Sequence, residues 1–136
     1  MKKIEIPKVS ERIRGVTLPN HNVIYVCDYD EVFKIVIDDE PSIEILDDNP
    51  YEFLDALDHF LGVYEHTPIL EVNGNRISYN FVPTASTVIV KYDIAGKLGE
   101  IEFRTLSGDW FAASFSHCGK YLILAEPYDF ELYEVT

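Results

Sequence analysis

Cysteine is scarce in this chain, long apolar runs are missing, and basic residues are nearly absent from its middle third. Two cysteines among 136 residues, Cys27 and Cys118, cannot build a disulfide framework, and they point to a reducing, cytoplasmic setting. The apolar runs are a few residues long, far below the roughly 20 a membrane-spanning helix needs. The opening stretch MKKIEIPKVSERIRG carries bases but no apolar segment, so no secretory leader is expected. Glycines stand singly, which excludes a P-loop and a G-x-G-x-x-G dinucleotide turn. No G-x-S-x-G elbow is present. His21, His59, His66 and His117 are not spaced with each other or with cysteine as zinc ligands are. Asp28-x-Asp30 begins like a calcium loop, but Val32 and Phe33 follow where further oxygen ligands belong, so a hairpin turn is expected there. No metal, no cofactor and no catalytic residue is expected, and the chain reads as a non-enzyme.

The shortage of bases is local. Residues 28–71 hold fourteen Asp and Glu against one base, Lys34, a net −13. The first twenty residues carry five bases against two acids, and residues 72–136 five against eight. One third of the chain thus equals the whole net charge of −13. Like charges oppose compaction, so such a stretch suggests something positive outside it. A −13 surface also disfavours nucleic acid, whose phosphates it would repel. The bases of the first segment, Lys2, Lys3, Lys8, Arg12 and Arg14, are expected to lie against the chain's own acidic face.

What is abundant is β-branched and aromatic residues in short, punctuated runs. Strands are predicted over 22–27, 32–38, 42–46, 68–72, 75–81, 87–92, 100–105, 110–115, 121–125 and 130–135. Connections of two to seven residues favour antiparallel hairpins. Asn73-Gly74 predicts a type I′ turn that sets Leu70 opposite Ile77 and Glu71 opposite Arg76. A second hairpin around Gly96 and Gly99 would turn Val88, Val90, Tyr92, Ile101 and Phe103 inward. One amphipathic helix is predicted at about 50–61. Asn49 would be its N-cap and Pro50 its first residue, Phe53, Leu54, Leu57, Phe60 and Leu61 its apolar stripe, and Gly62 its C-terminal stop. The fold class is therefore α+β, mainly β: an antiparallel sheet or sandwich of about eight to ten strands with one helix, in a single domain spanning 1–136.

From Gly108 the stretch GDWFAASFSHCGKYLILAEPYDFELYEV looks like one blade of a β-propeller of the WD-repeat kind: strand, tight turn at Ser116–Lys120, strand, turn, strand. It lacks the terminal Trp-Asp, has no second copy, and 136 residues are too few for four blades. The resemblance implies three antiparallel strands and a protein-binding surface. The overall build, small, very acidic and β-rich with one helix, is similar to that of bacterial immunity proteins. That resemblance implies a non-enzymatic inhibitor of a basic toxin such as a nuclease. Asp47, Asp48 and Glu52 have a local reason, since a helix N-terminus favours anions. Asp38, Asp39, Glu40, Glu44, Asp55 and Asp58 have none, and with Tyr51 as an aromatic anchor they form the expected partner-binding set. Two other readings are an adaptor or structural domain of a larger assembly docking through its blade-like surface, and a small ligand-binding or enzyme domain without a visible motif.

Overall fold

The computed structural model describes residues 1–57, 59–63 and 68–136. They form thirteen strands and one short helix, arranged as three antiparallel sheets. The central sheet has the order β1 (Lys2–Ile4), β13 (Asp129–Glu134), β12 (Tyr121–Glu126), β11 (Ala112–Phe115). Every residue of β11 and β12 is buried, which requires cover on both faces. This is why Tyr121–Ala125 reads as a continuous apolar run and not as an alternation.

The two faces of the central sheet build two cores. Tyr121, Ile123, Ala125, Phe130 and Leu132 pack against a second sheet. That sheet has the order β5 (Ser42–Leu46), β4 (Val32–Val36), β3 (Val23–Cys27), β2 (Gly15–Val16), β6 (Leu61–Gly62). It contributes Val16, Ile24, Val26, Ile35, Ile37 and Leu61. Phe115, Leu122 and Leu124 face the other way, toward the third sheet. Its order is β10 (Lys97–Arg104), β9 (Thr87–Ile94), β8 (Asn75–Ser78), β7 (Glu71–Val72), and it contributes Ile77, Val88, Val90 and Phe103. The molecule is thus three β-layers, with the C-terminal meander in the middle.

Both predicted hairpins form. Asn73 (φ 54°) and Gly74 (φ 79°) make the tight turn, with Glu71 opposite Arg76. The second hairpin closes at Ala95 (φ 53°) and Gly96 (φ 82°), so its strands run longer than predicted. Val88 faces Phe103 and Val90 faces Ile101, the predicted inward set. Gly99 lies within the strand, and the Tyr92 ring covers it where a side chain would stand.

The helix is shorter than its sequence suggests. α1 spans Pro50–Asp55, with Asn49 Oδ1 accepting from the Tyr51 and Glu52 amides at 2.9 and 3.2 Å. Leu57 already bonds three residues back, to the Leu54 carbonyl. Beyond it, Leu61 and Gly62 are required as a strand beside β2, pairing with Val16 and Gly15. Gly62 is therefore no helix stop. It is glycine because a Cβ would fall on the Arg14 carbonyl. The apolar stripe still buries: Phe53, Leu54, Leu57 and Phe60 cover Cys27 and Val32 on the outer face of the second sheet.

Candidate protein-binding surface

The acidic segment is built around an open sheet edge. Among the described residues β5 is the last strand of its sheet and pairs with β4 alone, Lys34 opposite Glu44 and Ile35 opposite Ile43. The direction of its free hydrogen-bonding groups follows from the neighbouring pair. Asp28 donates to the Glu31 carbonyl and Ile37 to the Asn22 carbonyl, so Phe33, Ile35 and Ile37 point their backbone groups at β3. Val32, Lys34 and Val36 then point theirs at β5, where Leu46, Glu44 and Ser42 receive them. The amides and carbonyls of Ile43 and Ile45 face outward, away from the sheet.

The side chains of the same two residues are uncovered. Ile43 and Ile45 share a face with buried Ile35 and half-buried Phe33, yet are 39% and 62% exposed. The central sheet does not reach far enough to cover them. Acids surround this apolar edge. Asp38, Asp39 and Glu40 form the exposed turn that enters β5, with Asp38 Oδ1 accepting from the Glu40 amide at 3.0 Å. Glu44 is exposed at mid-strand, 3.9 Å from Lys34, too long and too wet to neutralise it. Asp47 and Asp48 are exposed at the strand's end.

Three of the five bases of the N-terminal segment are engaged away from this charge. Lys3 pairs with Glu131 at 2.8 Å, Lys8 with Asp129 at 3.0 Å, and Arg12 with Asp109. All three acids belong to the C-terminal part of the chain, which corrects the expectation for Lys3, Lys8 and Arg12, whereas Arg14 does lie against the 28–71 segment, at Tyr51. Lys2 and Lys3 do line one groove with Asp38 and Asp39, but Lys3 is engaged by Glu131. Asp28 is taken internally: it is buried, and its Oδ1 accepts from the Asp30 and Glu31 amides at 2.8 and 2.6 Å, the predicted turn.

Tyr51 and Asp55 lie apart from the turn acids. Asp55 ends α1, exposed, and Asp58 lies outside the described residues. Tyr51 stands over the Arg14 guanidinium at 4.1 Å and meets the Tyr29 ring edge-on at 6.5 Å. Nearby, Arg12 donates to the Tyr128 hydroxyl at 3.0 Å. So the predicted set divides: Asp38, Asp39, Glu40 and Glu44 share the β5 edge, while Tyr51 sits at the β2 side of α1. Sequence reasoning missed Ile43 and Ile45 as surface residues. Their alternation with Ser42 and Glu44 reads as a core face, and only the extent of the central sheet reveals otherwise.

A separate cleft of about 370 Å³ opens between β3 and the turn after β11. His21, His59 and His117 line it with Thr17, Tyr25 and Leu57, and the His59 and His117 rings stand 6.4 Å apart. Among the described residues no three such side chains converge as metal ligands do. Cys118 follows His117 and is exposed; its thiol is held below its usual range by the Lys120 amide and the Ser116 hydroxyl. No described helix is long and apolar enough to cross a membrane. No protein-family model, curated protein or solved structure matches the chain.

Proposed function

We propose that this protein binds and neutralises a basic protein partner through its acidic β4–β5 edge, as an immunity protein neutralises a cytoplasmic bacterial toxin such as a nuclease. The observation that carries the reading is the charge left over after folding. The paired N-terminal cations engage Glu131, Asp129 and Asp109, and among the described residues Lys34, 3.9 Å from Glu44, is the one cation within ion-pair distance of the exposed acids 38–48, with Lys2 and Lys120 sharing a groove with Asp38 and Asp39. A nuclease site must be positive to hold phosphates, so carboxylates on a firm strand edge can occupy it. The role needs no chemistry from this chain. An adaptor would instead present its apolar surface away from the acid, where Leu70, Val82, Leu98 and Leu106 are exposed.

The test is association with the product of the gene immediately upstream, measured at rising ionic strength. The association rate should fall steeply with salt, and fall at least tenfold when Asp39 and Glu44 are both reversed to Lys. The partner's activity should be lost on binding. A rate indifferent to salt and to the reversals rejects the reading.

A further inference from the structure

The charge says what kind of partner fits, and the backbone says how. We infer that the β5 edge receives an extended segment of the basic partner as an added antiparallel strand; this deepens the proposed function and rests on it. Three independent features of Ser42–Leu46 converge. The strand is terminal in its sheet. The outward hydrogen-bonding groups are those of Ile43 and Ile45, set by the β3–β4–β5 register. The side chains of those same residues are uncovered.

Antiparallel geometry then specifies the guest. Residues that hydrogen-bond to each other across a pair share a face. Guest residues bonded to Ile43 and Ile45 therefore carry apolar side chains over the two isoleucines. The guest residue between them lies opposite Glu44, on the other face, where Lys or Arg fits. Asp38, Asp39 and Glu40 at one end and Asp47 and Asp48 at the other extend the demand for positive charge beyond the paired residues. The occupant is thus an alternating basic-apolar segment. A second copy of this chain is the wrong occupant, because its β5 would bring Glu44 and the flanking acids against their own kind.

The test uses the intact protein and a capped octapeptide of alternating Lys and Val as the probe, at low salt. Amide exchange at Ile43 and Ile45 should slow at least tenfold on adding the peptide, with Ser42, Glu44 and Leu46 little changed. A peptide N-methylated at its valines keeps its charge but cannot pair, and should bind at least tenfold more weakly. Ile45→Pro removes one outward amide without touching the β4–β5 bonds and should weaken the unmethylated peptide similarly. Should that variant lose structure, the methylated peptide on the unaltered protein still decides. If Glu44→Lys abolishes binding while N-methylation and Ile45→Pro do not, the acidic face stands and strand addition falls. If Glu44→Lys, doubled salt and N-methylation all leave binding unchanged, the acidic-face reading falls with it. Protection of Ile43 and Ile45 without peptide, accompanied by dimerisation, overturns the choice of occupant.

Discussion

Replacing Glu126 by Gln should destabilise the fold by about 2–4 kcal/mol, although it changes one atom of the side chain. Glu126 closes β12 and has no exposed surface. Its Oε1 accepts from the Leu106 and Ser107 amides at 2.7 and 3.1 Å, and its Oε2 accepts from the Tyr128 amide. It thereby holds the loop after β10 in the third sheet against the last turn of the central sheet. Gln can keep one oxygen on Leu106 and Ser107, but its amide nitrogen then meets the Tyr128 N–H, donor against donor. One bond to a charged acceptor, about 1.5–3 kcal/mol, is lost, and a buried donor is stranded. Glu126→Ala strands all three donors and adds a cavity, so it should cost more. Urea unfolding read by the fluorescence of Trp110, the chain's only tryptophan and nearly buried, provides the assay. With a slope of about 2 kcal/mol per molar urea, the midpoint should drop by roughly 1–2 M at unchanged slope. Glu131→Gln, which loses a partly exposed pair with Lys3, is the control and should cost less than about 1 kcal/mol. A Glu126→Gln midpoint within error of that control refutes the argument, because the carboxylate would then not be the acceptor these amides depend on.

Two glycines should separate crowding from backbone strain. Gly62→Ala drives a methyl into the Arg14 carbonyl and to 2.9 Å from the Gly15 Cα, and should cost about 2 kcal/mol or more of stability, read by calorimetry as a lower Tm. Gly74→Ala has open space but a φ of +79°, and should cost only about 1–2 kcal/mol. The two thiols should differ sharply toward a disulfide reagent at pH 8: Cys118 reacts in the native protein, and Cys27, pushed up to about 12 by burial, reacts only on unfolding. The Cys27 shift also sets a direction with pH. The folded thiol holds its proton where the unfolded one releases it, so its contribution is complete below pH 9 and is lost between about 9 and 12. Cys27→Ala should flatten that alkaline decline in a urea series, and an unchanged slope would remove Cys27 as its cause.

The sequence is legible wherever one local rule acts alone. Asn73-Gly74 carries its own positive-φ requirement, so turn, register and strand pairing follow from two residues. Asn49 and Pro50 start the helix for equally local reasons. Errors arise where a distant partner decides. Leu61 continues a helical stripe, but β2 needs it as a strand, and pairing with Val16 outweighs helix propensity. β1 reads as part of a charged tail because its pairing partner, β13, lies at the opposite end of the chain. Pairings so distant in sequence leave no local pattern. The β5 edge was half legible for the same reason: its acids are visible in composition, and its uncovered isoleucines depend on how far another sheet extends.

Charge at a sheet edge also has a simpler purpose, to stop edges from sticking to one another, and the β5 edge can be weighed against it. A protected edge places its charge where the free backbone lies, or replaces apolar residues there. β5 does neither. Its one mid-strand acid, Glu44, points its backbone inward to β4, and the outward positions are Ile43 and Ile45, 39% and 62% exposed. Two isoleucines beside open amides are a poor defence against pairing. They are a good receiving surface once the surrounding acids restrict what can approach. Asp38, Asp39, Glu40, Asp47 and Asp48 repel another copy of this chain, and under the proposed function the same charges would select a basic partner. On that reading protection and recognition share one origin, and neutralising Asp39 and Glu44 to Asn and Gln should weaken binding of a basic segment and bring new self-association together. Sedimentation of that variant at rising concentration checks it, and a monomer at all concentrations would show that the acids had not been holding the edge apart.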